Sequence, residues 1–79
     1  MLTPSQSRAA RAWLEWSQEN LSKRASVSLS TIRDFEKGKR TPIKNNLEAI
    51  YRAFEGEGVT FVNDVDGKAK GITVECRIE

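Results

Sequence analysis

Apolar positions follow a helical period as far as Phe54 and a two-residue period after Gly58. In TPSQSRAARAWLEW, Ala9, Ala12, Trp13 and Trp16 recur at helical spacing, with Ala10 and Leu14 beside them. Thr3 can cap this run, and Pro4 suits the first helical position, where its missing N–H costs nothing. The pattern predicts a helix over 4–15 with Trp13 and Trp16 in the core, because indole rings serve more often as packing than as stacking platforms.

The next two helices carry a repeated device. Trp16, Ser17 and Leu21 stand where a hydrophobic staple needs an apolar residue, an N-cap and an apolar residue at the fourth helical position. Val27, Ser28 and Ile32 repeat the arrangement. The first predicts a short helix over 18–25, with a capping box left incomplete because Asn20 stands where Glu or Gln is preferred. The second predicts a helix over 29–37 that ends at Gly38. Its Ile32 and Phe35 turn inward and Leu29 is half-exposed. Ser30, Thr31, Arg33, Asp34 and Lys37 are left for the outer surface. A fourth helix is predicted with Thr41 as N-cap and Pro42 as its first residue. Ile43, Leu47, Ile50 and Phe54 form its apolar stripe, supported by Tyr51.

Beyond Gly58 the segment VTFVN is β-rich, and ITVECRIE alternates with Ile72, Val74, Cys76 and Ile78 on one face. Asp66-Gly67 between them is a strong turn dipeptide. The expectation is a mainly α fold, four helices over 1–57 followed by a C-terminal β-hairpin over 58–79. An isolated two-stranded hairpin is marginal in water, so this one needs a helix to lie on or a strand to pair with.

Composition narrows the function classes. The chain has 79 residues, 30% charged and 38% hydrophobic, which suits one small globular domain. No apolar run is long enough to span a bilayer. The N-terminal segment lacks a signal-peptide core, which makes the cytoplasm the expected location. There is no histidine, and the lone Cys76 makes neither an internal disulfide nor a zinc site. No metal or other cofactor is expected, and no constellation of nucleophile and base points to an enzyme. The net charge of +2 is unevenly placed, +4 over residues 1–55 and −2 over 56–79. Lys37, Lys39, Arg40 and Lys44 fall together with no acidic residue among them, which reads as a solvated face or as an edge for a polyanion.

Two short stapled helices joined by about three residues are the helix-turn-helix unit, whose second helix enters the DNA major groove. Residues 16–38, WSQENLSKRASVSLSTIRDFEKG, resemble the Xre/Cro-type helix-turn-helix family of phage repressors and bacterial regulators, with a lambda-repressor-like domain over about residues 5–56. Two positions depart from the family pattern: Ser22 stands where alanine is usual and Ser26 where glycine is usual in the turn. The resemblance implies that Gln18 binds a phosphate with its side chain and the helix N-terminal amides. It implies that Ser28, Leu29, Ser30 and Asp34 meet base edges with Arg33 beside them, and that Thr31 lies near a phosphate. Lys37, Lys39, Arg40 and Lys44 would flank the groove, and Arg11 and Glu36 would form a structural salt bridge.

Chemistry ranks these roles. Arg33 can be bidentate to guanine or else contact a phosphate or solvent, and Ser30 bonds almost any base. Leu29 touches a thymine methyl or packs on the domain's own edge. Asp34 could accept from cytosine but is expected more to orient an arginine or repel wrong placements. The expected function is a DNA-binding transcriptional regulator of bacterial cytoplasm and nucleoid. It would be a repressor of phage or mobile-element type, acting on double-stranded DNA as a homodimer across an inverted repeat. Ile72, Val74, Cys76 and Ile78 are the candidate dimer strand, with a hairpin folded back on its own helices as the alternative and the fourth helix as the other candidate dimer surface. A second functional reading uses the same fold as an antitoxin or interaction module whose hairpin binds a toxin or anti-repressor.

Overall fold

The computed structural model describes residues 2–63, 66 and 69–74. Four helices, α1 (Pro4–Leu14), α2 (Gln18–Ala25), α3 (Leu29–Glu36) and α4 (Lys44–Glu55), precede a hairpin of β1 (Val59–Asn63) and β2 (Ala69–Val74). The fold class is the expected one. Gly67, Cys76 and Ile78 lie outside the described residues.

Local sequence explains most helix ends. Thr3 accepts from the Gln6 N–H, the Gln6 side chain accepts from the Thr3 N–H, and Pro4 opens α1. Glu15, expected inside this helix, instead ends it in the left-handed region at φ 58°. The box at α2 is complete: Ser17 Oγ accepts from Asn20 N at 2.9 Å and Asn20 Oδ1 accepts from Ser17 N at 3.0 Å. The shorter Asn side chain reaches back as Gln would. At α3, Ser28 caps Thr31 N and Lys37 is the C-cap, one residue earlier than the pattern suggested.

The start of α4 departs from expectation. Thr41 and Pro42 are not its cap and first residue. The chain stays outside the helix through Ile43, which is extended and becomes an N-cap with no side-chain bond, and Lys44 begins the helix. Ile43 thus precedes the first turn and is 69% exposed, so the inward stripe is Leu47, Ile50 and Phe54.

The core gathers Leu2, Ala10, Leu21, Ala25, Val27, Ile32, Phe35, Leu47, Ile50, Phe54 and Val59. On α1 the inward face is Gln6, Ser7 and Ala10, whereas Ala9, Ala12 and Trp13 point outward. Trp13 is 65% exposed and is no core residue. Trp16 is half-buried, stacked on Phe54 at 5.7 Å with the Arg24 guanidinium 4.5 Å over its ring.

The hairpin folds onto its own helices. Phe61 meets Phe54 edge-on at 5.8 Å and Tyr51 at 5.4 Å. Its register pairs Val59 with Val74 and Phe61 with Ile72, and a bulge falls between Val62 and Asn63. Val59 is buried and Phe61, Ile72 and Val74 pack against the core, while Thr60 and Thr73 face outward. The hairpin thereby gains the apolar support that two strands alone lack.

Candidate nucleic-acid interface

The turn between α2 and α3 sets the aim of α3. Ser26 holds the left-handed conformation at φ 55°, ψ 42°. Its N–H reaches Lys23 O and the next N–H, on Val27, reaches Ser22 O at 3.1 Å. The Ser22 hydroxyl donates to the Val27 carbonyl across the same turn. The two departures from the family pattern are therefore structurally paired: one serine sits in the strained turn and the other braces it. A Cβ in this region costs about 1 kcal/mol relative to glycine. Ser26→Gly is accordingly expected to raise the unfolding free energy by about 1 kcal/mol, read as a higher urea midpoint at unchanged slope. An unchanged or lowered midpoint would show that the turn is relaxed as it stands.

Helix α3 turns Ile32, Phe35 and Glu36 inward. Its other side carries exposed Ser28, Ser30, Arg33 and Lys37, with Leu29, Thr31 and Asp34 half-buried between them. Ser28 Oγ lies 2.7 Å from Thr31 Oγ1 and 3.3 Å from Ser30 Oγ, so the N-terminal end of α3 presents a linked cluster of hydroxyls. The loop that follows folds back on the helix, with Lys39 N and Arg40 N both donating to Asp34 O at 2.9 and 3.3 Å. This brings Arg40 and Pro42 beside Ser30, Thr31 and Asp34 around a small hollow of about 60 Å³. Lys37, Lys39, Arg40 and Lys44 are all exposed. Among the described residues neither they nor Arg33 has a salt-bridge partner, in contrast to Arg11, Lys23 and Arg24.

Behind this surface lies a buried polar knot. Arg11 Nη2 pairs with Glu36 Oε1 at 2.8 Å, with the Glu36 side chain only 1% exposed. Arg11 Nε reaches both carboxylate oxygens, Ser7 Oγ donates to Oε2 at 2.6 Å, and Gln18 Nε2 donates to Oε1 at 3.0 Å. Arg8 donates to the Glu36 carbonyl. Burial pushes the Glu36 carboxyl up. The hydrogen bonds from Arg11, Ser7 and Gln18, with the charge of Arg11, outweigh it and hold the group below its ordinary 4.5. The knot ties the far end of α3 to α1 and to the first residue of α2.

Sequence reasoning placed Arg11 with Glu36 but missed Ser7 and the engagement of Gln18 with the same carboxylate. Ser7 stands four residues before Arg11, one helical turn away, and that spacing was an available signal. Gln18 has one amide hydrogen committed to Glu36. The expected dimer residues Ile72 and Val74 are half-buried against the chain's own core. No group of metal-ligating side chains occurs among the described residues. No helix among them is long and apolar enough to cross a membrane.

Two capped helices, a tight turn and a second helix whose outer side is hydroxylic and cationic define a helix-turn-helix DNA-binding domain. Residues 8–57, more than half of the chain, match the family model described as helix-turn-helix. The chain belongs to this family, of the Xre/Cro type, whose members are DNA-binding regulators, typically without enzymatic activity. No curated protein matches it.

Proposed function

We propose that the protein is a sequence-specific transcriptional repressor that binds an inverted-repeat operator as a homodimer, as a regulator of phage or mobile-element type would. The observation that carries this reading is the α3 side of the molecule, where exposed hydroxyls and Arg33 adjoin four cations without acidic partners among the described residues. In this reading Arg33 reads a guanine edge, and Ser28, Leu29, Ser30 and Asp34 line the same groove. Lys37, Lys39, Arg40 and Lys44 neutralise backbone phosphates, with Thr31 near one of them. The second amide hydrogen of Gln18 and the free N–H groups of the first turn of α2 hold another phosphate. A protein-docking helix would show more apolar and aromatic area than the outer side of α3, where Leu29 is the apolar residue and is half-buried.

A single helix-turn-helix makes few base contacts, so specificity calls for two half-sites. The sheet has two strands, and each keeps one edge without a strand partner among the described residues. The dimer contact assigned here is strand-to-strand pairing at such an edge. Ile72 and Val74 contribute what their own core leaves uncovered, and Cys76 and Ile78 continue the same alternation in sequence.

Selection of a random duplex library on the full chain at physiological salt tests the proposal. The expected product is an inverted repeat with half-site centres about 34–36 Å apart. Binding that enriches no sequence and vanishes as salt rises would overturn it. In the same selection Arg33→Ala is expected to relax preference at one base pair per half-site by about 10-fold and leave the others intact. Unchanged relative preferences at every position would remove Arg33 from base reading.

A further inference from the structure

We propose that Gln6 sets the spacing of the operator half-sites by holding the hairpin at one angle to the helical head. This rests on the reading of the hairpin as the dimer element. Gln6 is 3% exposed on the inward face of α1. Its Oε1 accepts from Thr3 N at 3.0 Å. Its Nε2 reaches three acceptors on the hairpin: Val62 O at 3.2 Å, Gly71 O at 3.1 Å and Asn63 Oδ1 at 3.2 Å. Val62 and Gly71 oppose one another in the register, and the bulge follows directly. A bulge interrupts the ladder, and the Gln6 amide supplies hydrogen bonds there.

A second attachment of the hairpin is the chain itself. It leaves α4 through Gly58, whose φ of +85° is reached without strain because glycine has no Cβ. Between these two points the apolar contacts among the described residues are chiefly those of Phe61 against Phe54 and Tyr51. Apolar contacts are non-directional and tolerate tilt, whereas hydrogen bonds weaken steeply when misaligned. Gly58 is thus a pivot and Gln6 the lock placed four residues out along β1.

The lever has the right scale. Four residues of strand reach about 13 Å from the pivot. A slip of about 3 Å at the lock, one hydrogen-bond length, tilts the hairpin by about 13°. A recognition helix about 17 Å from the dyad, half the usual spacing, then shifts by about 4 Å, close to one base-pair step. In a dimer joined through the hairpins, both heads would move.

The test compares the wild-type full chain with Gln6→Met, which keeps the length of the side chain and removes both its donor to the hairpin and its Oε1 acceptor in the α1 cap. Both are put through random-duplex selection with the spacer between half-sites scored, and both are sedimented to establish the dimer. The expected result is one spacer for the wild type. Gln6→Met should keep the same half-sites but spread over about three spacers, with about 10-fold weaker binding to the wild-type operator. A dimeric Gln6→Met chain that keeps the single spacer overturns the proposal, because a residue that only stabilises the fold weakens binding at all spacers alike. A wild-type chain that stays monomeric and selects isolated half-sites overturns the dimer reading and this proposal with it. Should Gln6→Met fail to fold, Asn63→Ala removes one acceptor from the same contact. It is expected to spread the spacer less but in the same way, and an unchanged spacer with it counts against the proposal.

Discussion

Replacing Glu36 by glutamine is expected to lower the unfolding free energy by about 3–5 kcal/mol, because removing one member of a buried ion pair strands the other. The side chain of Glu36 is 1% exposed and that of Arg11 only 19%, so water cannot take over the role of the carboxylate. A domain of this size has a total stability of about 4–12 kcal/mol, so the change removes a large share of it. The same residue predicts a pH dependence. The folded pKa of Glu36 lies below its ordinary 4.5, so the unfolded chain takes up a proton at higher pH than the folded one. Its contribution is complete above 4.5 and is lost as pH falls through the lower, folded value. Urea unfolding from pH 7 down to the acid limit should show that loss in the wild type and a flatter profile in Glu36→Gln. An equally steep acid loss in the variant would assign it to other carboxylates.

Changing Lys37, Lys39, Arg40 and Lys44 together to alanine is expected to weaken DNA binding about 10³-fold at physiological salt, with little change in base preference. Each phosphate contact contributes about one unit to the slope of log affinity against log salt, so the slope should become shallower by about four. All four side chains are exposed and none has an acidic partner among the described residues, so the fold should keep its thermal midpoint. Filter binding over a salt series, with selected and scrambled duplexes side by side, separates the two effects. A slope unchanged by the fourfold variant would place the phosphates elsewhere on the molecule.

Helix α2 shows what was legible in advance. Its cap, its staple and its bounds are all local chemistry, written in Ser17, Trp16 and Leu21. The outer residues of α3 were equally legible, because Ile32 and Phe35 fix which side faces in and the remainder must face out. Helix α1 shows the opposite. A rule that reads apolar residues as buried chose Ala9, Ala12 and Trp13, yet the inward positions are Gln6, Ser7 and Ala10. Gln6 and Ser7 are buried because distant groups satisfy them: the hairpin carbonyls for one, the Glu36 carboxylate for the other. No periodicity in α1 carries that information, since the partners lie 29 to 65 residues away. The start of α4 failed for a related reason. Thr41-Pro42 is a sound local signal for a helix start, but the loop after α3 folds back on that helix beside Ser30, Thr31 and Asp34, and α4 begins only at Lys44.

The sequence by itself therefore determined the four helices and the hairpin, the helix-turn-helix unit and the chemical character of its outer helix. Each of these follows from period, caps and charge within a few residues of the site in question. Tertiary structure alone decided which face of α1 is buried, how Ser7 and Gln18 join the Arg11–Glu36 pair, and where the hairpin lies. Those outcomes depend on whether a polar group finds a partner far along the chain, and the energy of a buried hydrogen bond exists only once both partners have been brought together.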